Sequence, residues 1–102
     1  MNIMLKSEVF EKVLQEVVAQ TEISRERILS QETCVEVVDA RHILIYIMHT
    51  LGFYPRQIAE LMNCTPANVR KALSLFRDRV SSNNIMQQHL DVISCRIFRD
   101  SA

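Results

Sequence analysis

The sequence predicts an all-α fold, a compact bundle of about six helices, and three observations support this prediction. One glycine and two prolines in 102 residues leave few of the turns that a β-sandwich or barrel needs. Apolar residues recur at helical spacing along most of the chain. Hydrophobic residues make up 48% of the chain and charged residues 24%, so one core can form without disulfides or structural metal. We therefore expect a single helical domain over residues 1–102.

The first two predicted helices differ in length. Over residues 5–20, an apolar stripe repeats at four-residue steps, which is typical of an amphipathic helix. Residues 24–30 predict a short second helix, because the Ser24 hydroxyl can accept backbone N–H groups of its first turn. Ile23 and Ile28 flank that cap at the spacing of a hydrophobic staple. Both features place the start of the second helix at Ser24.

The third predicted helix, about 36–51, is apolar nearly all round and follows a connecting loop at 31–36. Its density of β-branched residues could also indicate a buried strand. The segment is too long without a breaker for a strand, and the chain offers no second strand to pair with it. It ends at the only glycine, Gly52, a natural C′ residue of a helix. We therefore predict that this helix forms the centre of the core.

Further helices are predicted in the second half of the chain. The fourth spans 55–62, and the fifth begins where Thr65 suits the N-cap and Pro66 the first helical position. The polar run 81–84 is expected to break the chain, and a final helix covers about 84–98. The connection between the fourth and fifth helices is therefore very short, as in a helix-turn-helix.

The fourth and fifth helices carry the pattern of a helix-turn-helix over residues 55–74. This motif needs a small residue where its helices cross and a turn residue that tolerates left-handed backbone. Ala59 and Asn63 meet these two requirements. Apolar residues also stand where the pair must close on itself: Ile58, Met62, Cys64, Val69 and Ala72. A plain helical hairpin in a bundle is the alternative, and the basic residues of this segment favour the DNA-binding motif.

The outward face of the fifth helix supplies most of the candidate DNA-binding residues. They are short, polar or basic, as a surface that reads the major groove requires: Thr65, Pro66, Ala67, Asn68, Arg70, Lys71 and Ser74. Asn68 could bond to an adenine edge, or it could help to cap the helix. Arg70 and Lys71 could contact phosphates or bases, or be solvated surface cations. Arg56, near the start of the fourth helix, could reach a phosphate.

Charge is unevenly spread along a chain whose net charge is zero. Residues 1–36 hold four basic and seven acidic residues, a net of −3, whereas residues 53–80 hold five basic and two acidic ones, a net of +3. The asymmetry favours an anionic partner, such as duplex DNA, for the later half of the chain. Two solvated faces that differ by chance are the alternative.

Several runs within residues 17–80 are similar to one known domain: Val18-Ala19, Ile28-Leu29-Ser30, Val38-Asp39-Ala40-Arg41-His42-Ile43-Leu44-Ile45-Tyr46, Ile58-Ala59-Glu60-Leu61-Met62 and Val69. In order and spacing they resemble the C-terminal, DNA-binding domain of the bacterial chromosomal replication initiator DnaA, whose central helix reads Val-x-Ala-Arg-Gln-Ile-Ala-Met-Tyr. The resemblance implies an all-helical, Trp-repressor-like fold that binds duplex DNA through a helix-turn-helix, in replication initiation or its regulation. It also implies a phosphate contact or a structural salt bridge for Arg41.

The chain departs from that domain in its recognition helix, in the loop 31–36, and in the connections at 52–55 and 63–65, which each look about one residue short. Its recognition helix opens with Thr65-Pro66-Ala67-Asn68-Val69, where the family has Asp-His-Thr-Thr-Val. The loop 31–36 carries Glu32 and Glu36, where arginines of the family enter the minor groove. Recognition of the family's usual origin box is therefore not expected to carry over directly. The acidic loop also supports a second hypothesis, a protein-interaction module that kept the fold and lost DNA binding.

Other classes of function have little support in the sequence. Three cysteines, odd in number and widely spaced, indicate reduced thiols and a cytoplasmic protein: Cys34, Cys64 and Cys95. His42 and His49 share a helix face, but the chain lacks the CxxC or HxxxH spacing of a metal site. We find no catalytic set, no apolar run of membrane-spanning length and no glycine-rich loop for a nucleotide. The sequence thus predicts neither an enzyme nor a cofactor, and it leaves a homodimer or a protein partner open.

Overall fold

Six α-helices form the fold in the computed structural model, which describes the backbone of residues 5–101 and the side chains of residues 5–98. The helices are α1 (Lys6–Thr21), α2 (Arg25–Ile28), α3 (Val35–Thr50), α4 (Pro55–Met62), α5 (Pro66–Ser82) and α6 (Asn84–Ser101). No strand occurs in these described residues. The prediction of an all-α bundle of six helices is therefore confirmed. Among the described helices, none combines the length and the apolar character that crossing a membrane requires.

Helix α3 lies at the centre of the bundle and packs against each of the other five helices. Its buried residues are spread around the helix rather than confined to one stripe: Val37, Ala40, Ile43, Leu44, Ile45, Ile47 and Met48. This burial on several sides explains why the segment is apolar nearly all round. Gly52 follows the helix with φ +101°, a left-handed value that favours glycine. The predicted bounds of this helix are confirmed to within one residue at each end.

The short helix α2 begins where local chemistry dictates. Ser24 caps it, since the Ser24 Oγ accepts the Arg27 N–H at 3.3 Å. Ile23 and Ile28, on either side of the cap, are both buried, which confirms the predicted staple positions. Helix α2 covers four residues, fewer than predicted, because the chain turns into the loop to α3 directly after it.

The predicted break before α6 is wrong in extent, because it is one residue long instead of four. The Ser81 and Ser82 hydroxyls donate to the Asp78 carbonyl at 2.9 and 3.2 Å, a bonding pattern that serines can adopt inside a helix. Helix α5 therefore continues through both serines. Asn83 alone leaves the helix, and its Oδ1 accepts the Met86 N–H at 3.1 Å. The same residue thus ends α5 and caps α6.

Two contacts fasten α5 to α3. The rings of Phe76 and Tyr46 stack with centroids 4.5 Å apart, and Phe76 is 1% exposed. The Arg79 guanidinium donates to both carboxylate oxygens of Asp39, at distances between 2.8 and 3.2 Å. Both contacts lie in the C-terminal half of α5 and fix its direction, while the first turns of α5 pack on α4.

Candidate nucleic-acid interface

The connection between α4 and α5 reverses the chain within three residues. Asn63 adopts left-handed backbone, with φ 56° and ψ 48°, which confirms its prediction as the turn residue. The Cys64 N–H donates to the Ala59 carbonyl at 3.0 Å, a bond that closes many helix ends after a left-handed residue. Thr65 then caps α5, since its Oγ1 accepts the Asn68 N–H at 3.2 Å. Local bonds therefore set the angle at which α5 leaves α4.

Buried small and apolar side chains hold α4 and α5 together. Four of the five predicted contact residues are buried: Ile58, Met62, Val69 and Ala72. Cys64 is half-buried, and burial raises the pKa of its thiol. Ala59 is 2% exposed, so a small residue does stand where the two helices close on each other.

We expect Ala59→Leu to lower the free energy of unfolding by about 1–3 kcal/mol, because a larger side chain must fit into a closely packed site. Thermal unfolding followed by circular dichroism measures the change. Ala19→Leu is the control, since Ala19 is exposed on α1 and has room for the added carbons. Equal melting temperatures for the two variants would show that Ala59 does not lie at a close contact.

The predicted DNA-binding residues of α5 lie on the outside of the molecule. Six of the seven are exposed and Pro66 is half-buried; the exposed ones are Thr65, Ala67, Asn68, Arg70, Lys71 and Ser74. Arg56 is also exposed, in the first turn of α4. The Asn68 side chain makes no hydrogen bond to another described residue, since Thr65 supplies the cap. The Asn68 amide is therefore available to an external partner.

Four of the five basic side chains of α4 and α5 form no ion pair with a described carboxylate. Within the described part of the chain, four arginines form ion pairs with carboxylates: Arg25, Arg27, Arg79 and Arg96. Six cations have no described carboxylate within salt-bridge distance: Lys6, Arg41, Arg56, Arg70, Lys71 and Arg77. Four of these six lie on α4 and α5, and Arg41 of α3 donates to backbone carbonyls instead. Sequence reasoning missed Arg77, although its spacing of seven from Arg70 places both on one helix face.

Arg41 has a structural role in the connection between α2 and α3. Its Nε donates to the Ile28 carbonyl at 2.8 Å and its Nη2 to the Glu32 carbonyl at 3.1 Å. Desolvation by partial burial lowers the pKa of this guanidinium. The structural salt bridge suggested for Arg41 is not observed with any described carboxylate, and the guanidinium binds backbone carbonyls instead. A phosphate contact by Arg41 stays a prediction.

A cleft of about 590 Å³ separates α5 from the loop between α2 and α3. Ser30, Gln31 and Thr33 line the loop side, and Asn68 and Lys71 line the α5 side. The loop therefore lies beside the outward face of α5. Sequence reasoning missed this cleft, because only tertiary packing brings these distant parts of the chain together.

The two acidic residues of that loop have different surroundings. The Glu32 carboxylate accepts from the Arg27 guanidinium, with Nη2 and Oε2 2.6 Å apart. Glu36 instead lines a second cleft, of about 270 Å³, together with Ile85 of α6. Of the two acids, Glu32 is therefore the one near α5, since its neighbours in the chain line the first cleft.

The two histidines of α3 also have different surroundings. His42 is half-buried beside the first cleft, and burial lowers its pKa. Its Nδ1 is buried and has no hydrogen-bond partner among the described residues. His49 is exposed near the end of α3. In the part of the chain that the structure describes, no three His, Cys, Asp or Glu side chains are grouped to hold a metal ion.

No protein-family model, no curated protein and no solved structure matches this chain. The resemblance of residues 17–80 to the initiator's DNA-binding domain therefore stays a prediction from the sequence. Three structural features bear on function: the packing of α4 against α5, the exposed polar face of α5, and the unpaired cations on both helices.

Proposed function

We propose that this protein binds duplex DNA, with α5 in the major groove as the second helix of a helix-turn-helix. The observation that carries the proposal is the clustering of unpaired cations on α4 and α5: Arg56, Arg70, Lys71 and Arg77. Cations without carboxylate partners are available to phosphates, and phosphate neutralisation supplies much of the affinity of DNA-binding proteins. Because the whole chain has no net charge, this local excess decides which face approaches DNA.

Helix α5 has the dimensions and the surface of a helix that reads a groove. Its 17 residues span about 25 Å, and the major groove is wide enough to admit an α-helix. The residues at its start are small or polar: Thr65, Pro66, Ala67 and Asn68. Such side chains let the helix backbone come close to base edges. The positive end of the helix dipole lies at the same place and favours nearby phosphates.

The side chains of this surface have different roles in the proposal. Asn68 reads a base, because an amide can bond to both N6 and N7 of adenine. Arg70 and Lys71 bind phosphates of the groove that α5 enters, and Arg77 extends the same track. Arg56 binds a phosphate at the start of α4.

The resemblance to the replication initiator's domain suggests a cellular context for this DNA binding. On that basis we propose a role in replication initiation or its regulation. The loop 31–36 is acidic where that domain is basic, so we expect a target other than the usual origin box. Binding-site selection on random duplexes identifies that target.

Fluorescence anisotropy with a random duplex pool tests the proposal. We expect affinity to fall steeply between about 50 and 200 mM salt. Lys71→Ala and Arg70→Ala should each weaken binding to all sequences alike and reduce the log–log salt slope by about one unit. Lys6→Ala is the matched control, because Lys6 is an exposed, unpaired cation on α1, and it should leave the slope unchanged.

Asn68→Ala tests base reading separately from phosphate binding. On the selected target, this variant should lose preference at one position, by about 1–3 kcal/mol, while non-specific binding stays nearly unchanged. Negligible affinity of the wild-type protein for the random pool at low salt would overturn the DNA-binding proposal. A protein-interaction module would then be the better account of the exposed α5 surface.

A further inference from the structure

The cleft beside α5 has the size of a small-molecule site. Its volume is about 590 Å³, within the range of about 300–1,000 Å³ that is usual for ligand sites. The α2–α3 loop, helix α3 and the α4–α5 pair each contribute to its walls. Segments that are distant in the sequence therefore form the cleft together.

The cleft offers apolar surface to a ligand. Ile28, Val38, Ile45 and Ala72 supply apolar groups from three different helices. Leu75 adds an exposed apolar wall on α5. Removing such surface from water favours a ligand with an apolar body.

The basic residues of the cleft favour a ligand that also carries an anionic group. Arg41 and Lys71 line the cleft, and no described aspartate or glutamate does so. Glu32 lies between two cleft residues in the sequence, Gln31 and Thr33, but its carboxylate is paired with Arg27. An anionic group of a ligand is therefore favoured beside Arg41 and Lys71. A singly charged carboxylate suits a site with an apolar floor better than a phosphate, whose greater charge costs more to desolvate.

His42 adds an unsatisfied polar atom to the same region. Its ring lines the cleft, and its buried Nδ1 has no partner among the described residues. Buried polar atoms without partners are rare in native proteins. A rotation of the ring would present this nitrogen to the cleft, where a polar group of a ligand could satisfy it.

We propose that this cleft binds a small amphipathic carboxylate, with its apolar body against Ile45 and Leu75 and its carboxylate at Lys71 and Arg41. Lys71 also belongs to the proposed DNA-binding surface. A bound carboxylate would withdraw Lys71 from phosphates, so ligand and DNA weaken each other's binding. This coupling rests on the proposed function, whereas the ligand site itself does not.

Phenylacetate is the probe, and NMR chemical shifts of isotope-labelled protein follow its binding without DNA, at constant ionic strength. A ligand of this size should bind with a Kd of about 1 mM. Saturable shifts should centre on the amides of Cys64, Asn68 and Lys71. The uncharged analogue 2-phenylethanol should bind about fivefold more weakly, and Lys71→Met should reduce that difference. Equal binding of the two ligands to the wild-type protein would overturn recognition of the carboxylate.

Two matched variants place a new carboxylate on different faces of the protein. Leu75 and Val92 are 45% and 42% exposed, and of these two only Leu75 lines the cleft. Leu75→Glu should weaken phenylacetate binding by about fivefold or more, whereas Val92→Glu should bind it like the wild type. Circular dichroism establishes that both variants fold. Equal affinities for all three proteins, or shifts that do not saturate, would overturn the site.

A final titration tests the coupling to DNA. Saturating phenylacetate should weaken binding of the random duplex pool, whereas the same concentration of sodium acetate should not. If the protein binds no DNA, the proposed function fails, and the NMR titration still decides whether the ligand site exists. If DNA binds and phenylacetate does not, the ligand site alone fails.

Discussion

Phe76→Ala should lower the free energy of unfolding by about 3–5 kcal/mol, the largest loss of stability that we expect from a single substitution. Phe76 is 1% exposed and stacks on Tyr46, so truncation removes buried apolar surface and leaves a cavity between α3 and α5. Such a loss is a large share of the roughly 5–15 kcal/mol that stabilises a domain. Urea denaturation followed by circular dichroism measures the change.

Phe98→Ala is the matched control for this prediction. Phe98 lies on α6 and is 41% exposed, so its removal should cost no more than about 1 kcal/mol. A similarly small loss for Phe76→Ala would contradict the placement of the Phe76 ring in the core.

Glu32→Arg should tighten duplex binding more than any other single substitution that we consider. In the wild type, the Glu32 carboxylate neutralises Arg27. Reversal of the charge adds one cation and frees another beside the cleft that α5 lines. Two added phosphate contacts would steepen the log–log salt slope by about two units and tighten binding up to roughly 60-fold near 0.1 M salt. The lost surface ion pair contributes only about 0–1 kcal/mol, so the variant should fold.

Glu36→Arg makes the same change of charge on the other side of the loop. Glu36 lines the cleft toward α6, so this variant should change the salt slope much less in the same anisotropy titration. Equal tightening by both variants would show that net charge alone is responsible. No tightening by Glu32→Arg would contradict the position of the loop beside bound DNA.

Local patterns predicted the starts of the helices well, because caps depend on neighbours in the chain. Ser24 and Thr65 each accept an N–H three residues onward. The end of α3 is equally local, because Gly52 needs only its own left-handed backbone. The end of α5 was predicted less well. Serines are compatible with both a turn and a helix. Here the Ser81 and Ser82 hydroxyls donate to the Asp78 carbonyl of the preceding turn, and the helix continues.

The candidate site could be predicted only in part. The exposed face of α5 follows from the helical period, since Val69, Ala72 and Phe76 mark the opposite, buried face. Which cations of that face stay unpaired could not be predicted, because this depends on which carboxylates from distant parts of the sequence lie beside them in the folded protein. The Arg79 guanidinium pairs with the carboxylate of Asp39, which lies 40 residues earlier in the chain. Arg77, two positions before Arg79, has no such partner among the described residues.

The attachment of α5 to α3 has a consequence for how DNA would be discriminated. The ring stack at Phe76 and the two-pronged ion pair at Arg79 hold the helix in place before any partner arrives. Association would then lose little conformational entropy on the protein side. A helix held at one angle within its domain adapts less readily to a groove of unusual width. The duplex would have to deform instead, so sequences that bend easily would be favoured even at base pairs that no side chain touches.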